Sequence, residues 1–378
     1  MTKLWISLLV PLVFLVDNVF ADVQFRCPNQ LATLQPQASG YLRELDIPAG
    51  QVLLTVDTEN GVMTLALNTL QEDTRTLDFF TRLAFDIKPE HVRLPTSKKT
   101  TRVVSTVSKK EIMLSLLQHG RTTVFMNDDC SLEALTNHVG VRQNIVAWAE
   151  HVDWVWPNGR SAKWNSKYWR RGTPKPTVAI QDAVMDTFLQ QRKYSIGCYT
   201  ATKLVIVQGI LDYYQRIKPD PERTRHVEAI LLEDGDPLVG IEPGKMWSFE
   251  PDFDPRDMEK PGKLIELHAN VAPDNFVPGD WVYLLNTDAK SYGKTGYEGS
   301  NALYLGNNRF DDYFNDHGHS YTYEEKLDEV YQWRNGVFSR SRDARKIKQL
   351  KDAELRRLSS TPEAGGIQLE IRGVPRYF

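Results

Sequence analysis

The chain of 378 residues is short of cysteine, with only Cys27, Cys130 and Cys198. That excludes a disulfide-dense scaffold and a cysteine-rich zinc module. Charge of one sign is also lacking. Lys and Arg number 46 against 49 Asp and Glu, for a net charge of −3. No global field therefore draws the protein to nucleic acid or to an anionic membrane. Past residue 16 there is no apolar run long enough to cross a bilayer. His138 and His151 have no second His or Cys at metal-ligand spacing and read as structural or surface residues. The acidic loops Glu233–Asp236 and Glu250–Asp257 lack the glycine and distal glutamate of a calcium loop. The expectation is a protein with no metal site.

The first residues read as a secretory signal peptide. Lys3 is the basic region, Leu4 to Val16 the apolar stretch, and Val19-Phe20-Ala21 a cleavage site, so the mature chain is expected to begin at Asp22. No cysteine follows the cleavage site, which excludes a lipoprotein signal. The expected location is periplasmic or secreted, a setting that permits disulfides. Three cysteines leave one over. If Cys27 pairs with Cys130, the remaining thiol is Cys198.

Strand-like runs at Gln51–Asp57 and Val62–Leu67 flank Asn60-Gly61, a hairpin signal. Ser108 and Glu111 form a capping-box pattern before Ile112–Leu117, with Gly120 as a stop. One helix is expected from Ser131 and a further one from Gly140 to Trp154. The basic stretch Ser97–Arg102 reads as a solvated loop. An aromatic and basic cluster, Lys163–Arg171, precedes a short helix over Val178–Leu189. Trp281–Leu285, Tyr297–Gly306 and the segment from Phe310 to Ser320 read as three short strands. Thr322 and Glu325 cap a helix running towards Trp333. Ser339–Leu358 reads as a charged helix, and Ile367–Arg372 alternates like an edge strand. A single terminal strand does not make an outer-membrane barrel.

The stretch Tyr194–Tyr214 organises the rest. Ser195 and Gly197 are cap candidates, and apolar residues from Ala201 to Leu211 cover nearly every face. A helix apolar all round is a buried helix. Cys198 stands in its first turn, where free backbone N–H groups and the helix dipole favour a thiolate.

With these residues together, the chain resembles the bacterial protein-glutamine gamma-glutamyltransferases of the spore-coat type. The likeness rests on Asn165-Ser-Lys-Tyr-Trp169, the Cys198 helix with its Cys-x-Thr-Ala-Thr start, Pro278-Gly-Asp-Trp-Val-Tyr283, Gly299-Ser-Asn-Ala-Leu-Tyr-Leu-Gly306 and His317-Gly318. It covers Trp164 to Phe338. The two strand motifs also resemble the wider NlpC/P60 superfamily of papain-like cysteine peptidases. The resemblance implies an α+β fold with a papain-like core, a buried helix carrying the cysteine and an antiparallel sheet after it. The domains expected are a signal peptide (1–21), an added N-terminal α+β domain (22–160), the catalytic domain (161–338), and a charged tail with a terminal strand (339–378).

By resemblance, Cys198 is the nucleophile and His317 the general acid/base, with His319 beside it. The family places glutamates where Gly197 and Ser300 stand here, and in NlpC/P60 enzymes the Ser300 position holds the histidine base. Glu298, two residues from Ser300 and on the same strand face, is the substitute candidate. Trp164, Trp169, Trp281 and Tyr304 are the candidate walls of a substrate tunnel. No cofactor and no calcium are implied. The partners implied are proteins or peptides bearing glutamine and lysine. Two rivals stay open: an NlpC/P60-like amidase or endopeptidase acting on peptidoglycan peptides, and a binding protein whose chemistry is lost.

Overall fold

The computed structural model describes residues 22–68, 79–97, 99–118, 122–155, 157, 162–170, 172–232, 264–269, 276–286, 299–311, 313, 320–322, 351, 353 and 367–375. The fold is mixed α and β. β1 (Asp22–Arg26) leads into α1 (Leu31–Glu44), which buries Leu31, Leu34, Ala38, Tyr41 and Leu42 at helical spacing. β2 (Val52–Asp57) and β3 (Val62–Leu67) form the hairpin that Asn60-Gly61 predicts, with Asp57 Oδ1 accepting the N–H groups of Glu59 and Asn60 in the turn. After α2 (Phe79–Ala84), β4 (Glu90–Pro95) and β5 (Thr101–Thr106) pair as a separate antiparallel ribbon.

α3 (Lys109–Leu116) is capped as expected, Ser108 Oγ accepting the Glu111 N–H. The reciprocal half of the box is not made. The Glu111 carboxylate instead pairs with Arg82 and accepts the Asn307 N–H at 2.9 Å. A tertiary partner with a full charge outcompetes a local backbone donor.

β6 (Thr122–Met126) runs parallel to β1, completing a four-stranded sheet in the order β2-β3-β1-β6. The two helices expected from Ser131 and Gly140 are one, α4 (Leu132–Ala149). Gly140 is not a break. A Cβ there would lie 2.5 Å from the Tyr213 ring, so the glycine admits an aromatic side chain to the helix surface.

β7 (Trp169–Arg170) and β8 (Thr173–Pro174) make a small ribbon before α5 (Ile180–Leu189). α6 (Cys198–Asp212) follows, and its helix continues through a π-helical turn, Tyr213–Ile217, to α7 (Pro221–Leu232). α4 and α6 cross at Gly209, where a Cβ would stand 2.3 Å from Ile145 Cγ1 and 2.7 Å from Ile145 Cα. Asn144 and Trp148 then donate to Asp212 Oδ2 at 3.1 and 3.0 Å, and Arg216 pairs with the same carboxylate. Buried charge is tolerated there because it is both paired and hydrogen-bonded.

The second sheet is antiparallel throughout. It is built from β9 (Ile265–Ala269), β10 (Trp281–Asn286), β11 (Gly299–Gly306), β12 (Arg309–Asp311), β13 (Ser320–Tyr321) and β14 (Ile367–Pro375), in the order β13-β12-β11-β10-β14-β9. The terminal strand is therefore not an edge strand as its alternation suggests. β9 pairs along its outer side, and β9 carried no recognised strand signal. The turn into β10 is pinned to α4 by a fully buried ion pair. Arg142 Nη1 donates to Asp280 Oδ1 and to Pro278 O, both at 3.0 Å, while Asp280 Oδ2 accepts the Val277 N–H.

Cys27 and Cys130 form a disulfide, joining the end of β1 to the residues just before α4. One hydrophobic core runs from Val23 and Phe25 through α4 and α6 to Leu303 and Tyr313. Apart from Thr322, Lys351 and Ala353, the expected helices at Thr322–Trp333 and Ser339–Leu358 lie outside the described residues, as does the stop at Gly120.

Candidate active site

α6 begins at Cys198 because Gly197, extended at φ −85° and ψ 168°, is its N-cap. Ser195, the other cap candidate, instead exchanges backbone hydrogen bonds with Lys163. The first intrahelical bond runs from Ala201 N to Gly197 O. The N–H groups of the first turn have no upstream helical carbonyls, and a glycine cap supplies no side-chain oxygen to them. Every residue from Tyr199 to Asp212 is buried, whereas Cys198 is half-buried and is the free cysteine. The fold thus presents one thiol at the positive end of a rigid, buried helix.

β11 lies against α6. Asn301 Nδ2 donates to Cys198 Sγ at 3.5 Å, and Asn301 Oδ1 accepts from Trp281 Nε1 at 2.9 Å. The Trp281 ring packs on Tyr199, the residue after the cysteine, at a centroid distance of 5.3 Å. The buried Lys203 places Nζ 4.1 Å from the centre of the Tyr199 ring. One turn on, Thr202 Oγ1 donates to Cys198 O at 2.9 Å and shares a hydrogen bond with the Tyr313 hydroxyl at 3.1 Å. Tyr313 is fully buried in the left-handed region at φ 68°. Its N–H is held by Asp311 Oδ1 at 2.6 Å, and its carbonyl accepts the Trp154 N–H. Burial pushes the Tyr313 phenol well above its ordinary ionisation range. It stays a neutral hydroxyl beside the first turn.

Of the sequence candidates, Cys198 and Trp281 are brought together. Ser300 is buried on β11 opposite Leu284, and strand alternation puts its side chain on the other sheet face from Asn301. Tyr304 is on that same far face, packed with Phe276 and Phe310 and accepting the Asn308 N–H through its hydroxyl. Trp169 is a core residue whose indole donates to Ala183 O at 3.1 Å. Trp164, half-buried, packs on Trp169 at 4.7 Å. His317, His319 and Glu298 lie outside the described residues. Asn301 and Tyr313 were missed by the sequence reading. Asn301 had one legible signal, since a lone amide within the run Ala302-Leu-Tyr-Leu305 must find a partner if the strand is buried.

A separate cavity of about 410 Å³ opens at the far end of β11, lined in part by Arg82, Thr106, Glu111, Glu150, His151 and Arg309. Burial, with the nearby Glu111 charge adding to it, lifts the Glu150 carboxyl from 4.5 to about 7, against a lowering contribution from the Thr106 hydroxyl. Burial lowers His151, and the Arg102 charge lowers it further. His138, by contrast, is structural, its Nε2 accepting from Arg142 Nε at 2.8 Å.

The site thus consists of a free thiol at the start of a buried helix, backed by an antiparallel sheet that supplies an amide donor. Residues 88–234, Cys198 among them, match the family model for protein-glutamine gamma-glutamyltransferase. The match starts well upstream of Trp164, so the family likeness takes in β4, β5, α3 and α4 and is not confined to 164–338. No curated protein matches the chain. Among solved structures, the chain is similar to the transglutaminase from Geobacillus stearothermophilus without its C-terminal extension. Identity is 18%, coverage 64% of this chain and 93% of that one, and the TM-score 0.36.

Proposed function

We propose that the protein is an exported cysteine acyltransferase that joins protein glutamine to protein lysine side chains through a Cys198 thioester. The observation that carries this is Cys198 itself: the free thiol of the chain, at the first residue of α6, within the family-matched segment. The thiolate attacks the glutamine side-chain carbonyl carbon, forming a C–S bond. The C–N bond breaks, and the nitrogen takes a proton and leaves as ammonia. A lysine amine then attacks the thioester, forming the isopeptide C–N bond. The sulfur departs as thiolate and the amine gives its proton to a base. First-turn N–H groups of α6 are suited to the oxyanion of each tetrahedral intermediate.

In this reading the α6 helix and the antiparallel sheet are a papain-like core. His317 serves as acid and base, with His319 and Glu298 as the nearest supporting candidates in the sequence. Residues 1–21 are the export leader, and the Cys27–Cys130 disulfide suits an oxidising compartment.

The test is amine incorporation. Mature protein is mixed with a glutamine-bearing protein and a fluorescent primary amine, with Cys198→Ala as control, and ammonia is measured in parallel. Label and ammonia from the wild type, both absent from the variant, are expected. Cleavage of muropeptides without ammonia release would replace this reading with the cell-wall hydrolase. A Cys198 that neither reacts nor alkylates would replace it with a binding protein.

A further inference from the structure

We propose that Asn301 is a catalytic residue that holds and stabilises the Cys198 thiolate, and that Trp281 is the positioning residue that fixes which end of the amide meets the sulfur. An asparagine side chain can present an oxygen or an NH2 group to a neighbour, and only the hydrogen-bond partners tell which end faces which. Here the neighbour decides. The indole Nε1–H of Trp281 is a donor with no acceptor capacity, so the group facing it at 2.9 Å must be the amide oxygen. The NH2 end then points at Cys198 Sγ, 3.5 Å away.

Asn301 and Trp281 are only 3% and 1% exposed, and the Trp281 ring is itself packed on Tyr199. Turning the amide over would set its NH2 group against the buried indole N–H, donor facing donor at 2.9 Å. An N–H donor bonds more strongly to an ionised acceptor than to a neutral one. The Asn301 contact therefore favours thiolate over thiol. It also excludes Asn301 as the base, because its one acceptor atom is occupied and faces away from the sulfur. Proton removal from the thiol falls to another group. The inference rests on Cys198 being the nucleophile, as proposed above, but not on glutamine being the substrate.

The test is the pH profile of iodoacetamide alkylation, read by mass spectrometry at Cys198, for the wild type and the variants Asn301→Ala, Asn301→Asp and Trp281→Phe. Asn301→Ala is expected to alkylate about tenfold more slowly at neutral pH, as for the loss of a charge-assisted hydrogen bond of about 1.4 kcal/mol. Its rate should return to the wild-type plateau in alkali, which also shows that the site is still folded and accessible. Asn301→Asp keeps the shape but puts a carboxylate against the sulfur, and should be slower than Asn301→Ala at neutral pH. Trp281→Phe keeps a ring on Tyr199 and loses only the N–H, and should fall between wild type and Asn301→Ala.

Neutral-pH rates in Asn301→Ala and Asn301→Asp equal to the wild type would overturn the proposal. So would an Asp variant as fast as the wild type, since shape would then be all that matters. Amine incorporation separates the two readings. Label that depends on Cys198 alongside unchanged alkylation in every Asn301 variant removes Asn301 and leaves the transferase. The expected alkylation series with no label removes the transferase and leaves Asn301.

Discussion

Replacing Gly209 by alanine tests whether the α4–α6 crossing sets the position of the thiol. Apolar carbons rest about 3.5–4.0 Å apart. The new Cβ would stand 2.3 Å from Ile145 Cγ1, 2.7 Å from Ile145 Cα and 2.9 Å from Ile145 N. A side chain could turn aside, but two of the three contacts are backbone, so the helices must part by about 1 Å. Overpacking of this kind costs about 1–3 kcal/mol, and a backbone obstacle places it at the upper end. Against that, alanine gains about 1 kcal/mol over glycine inside a helix. The net expectation is a loss of about 2 kcal/mol, or a fall of roughly 0.7 M in the urea midpoint for a slope of about 3 kcal/mol/M.

The control is Gly40→Ala in α1, where a Cβ meets nothing within 4 Å. There the same substitution should stabilise, by about 0.5–1 kcal/mol. Truncating the neighbour should not rescue the Gly209 variant. Ile145→Ala removes Cγ1 but leaves Cα and N where they are, so the double variant stays at least as unstable as Gly209→Ala. Urea titration followed by tryptophan fluorescence reads all four proteins. A Gly209→Ala protein as stable as the wild type, or one restored by Ile145→Ala, refutes the crossing geometry.

Further outcomes follow from the buried charges and the disulfide. Asp280→Ala leaves the fully buried Arg142 guanidinium without its carboxylate and should cost about 3–5 kcal/mol, while adding Arg142→Met should recover part of it. Thermal denaturation of the wild type and the two variants checks this, and an Asp280→Ala variant as stable as the wild type contradicts it. Glu150 binds its proton more tightly folded than unfolded, its pKa rising from 4.5 to about 7. Its contribution is therefore full below about pH 4.5 and lost as pH rises through 7, by no more than about 3 kcal/mol. Glu150→Gln should flatten that part of the stability–pH curve, and an unchanged slope would show that Glu150 does not cause it. Reducing the Cys27–Cys130 disulfide opens a loop spanning 103 residues, and should lower stability by up to about 5 kcal/mol on chain-entropy grounds. Equal urea midpoints with and without reductant would count against that.

Much of the local structure was legible in the sequence because its causes are local. Asn60-Gly61 specifies a hairpin, Ser108 caps α3 through its own hydroxyl, and a helix apolar on every face has to be buried. Cys198 was legible for the same reason, since a glycine followed by that helix puts the cysteine in its first turn. The misreadings share the opposite character. Gly140 looked like a boundary because a glycine normally weakens a helix, and only Tyr213, distant in sequence, gives it a reason to lie inside one. β14 looked like an edge strand because its own alternation cannot reveal that β9 will pair with it. Glu111 looked committed to a cap until Arg82 and the β11–β12 turn offered it stronger partners.

At the site the division is the same. The sequence by itself determined that a cysteine stands in the first turn of a buried helix, and its motifs gave the resemblance to the transglutaminases. The tertiary structure alone decided what faces that thiol. Whether Ser300 or Asn301 meets Cys198 is a matter of strand phase, and a shift of one residue exchanges the two faces. That phase is set by the pairing of β10 with β11 and by the packing of both on α6. The contact of Asn301 with Cys198 joins residues 103 apart in the chain, and no short window of sequence contains it.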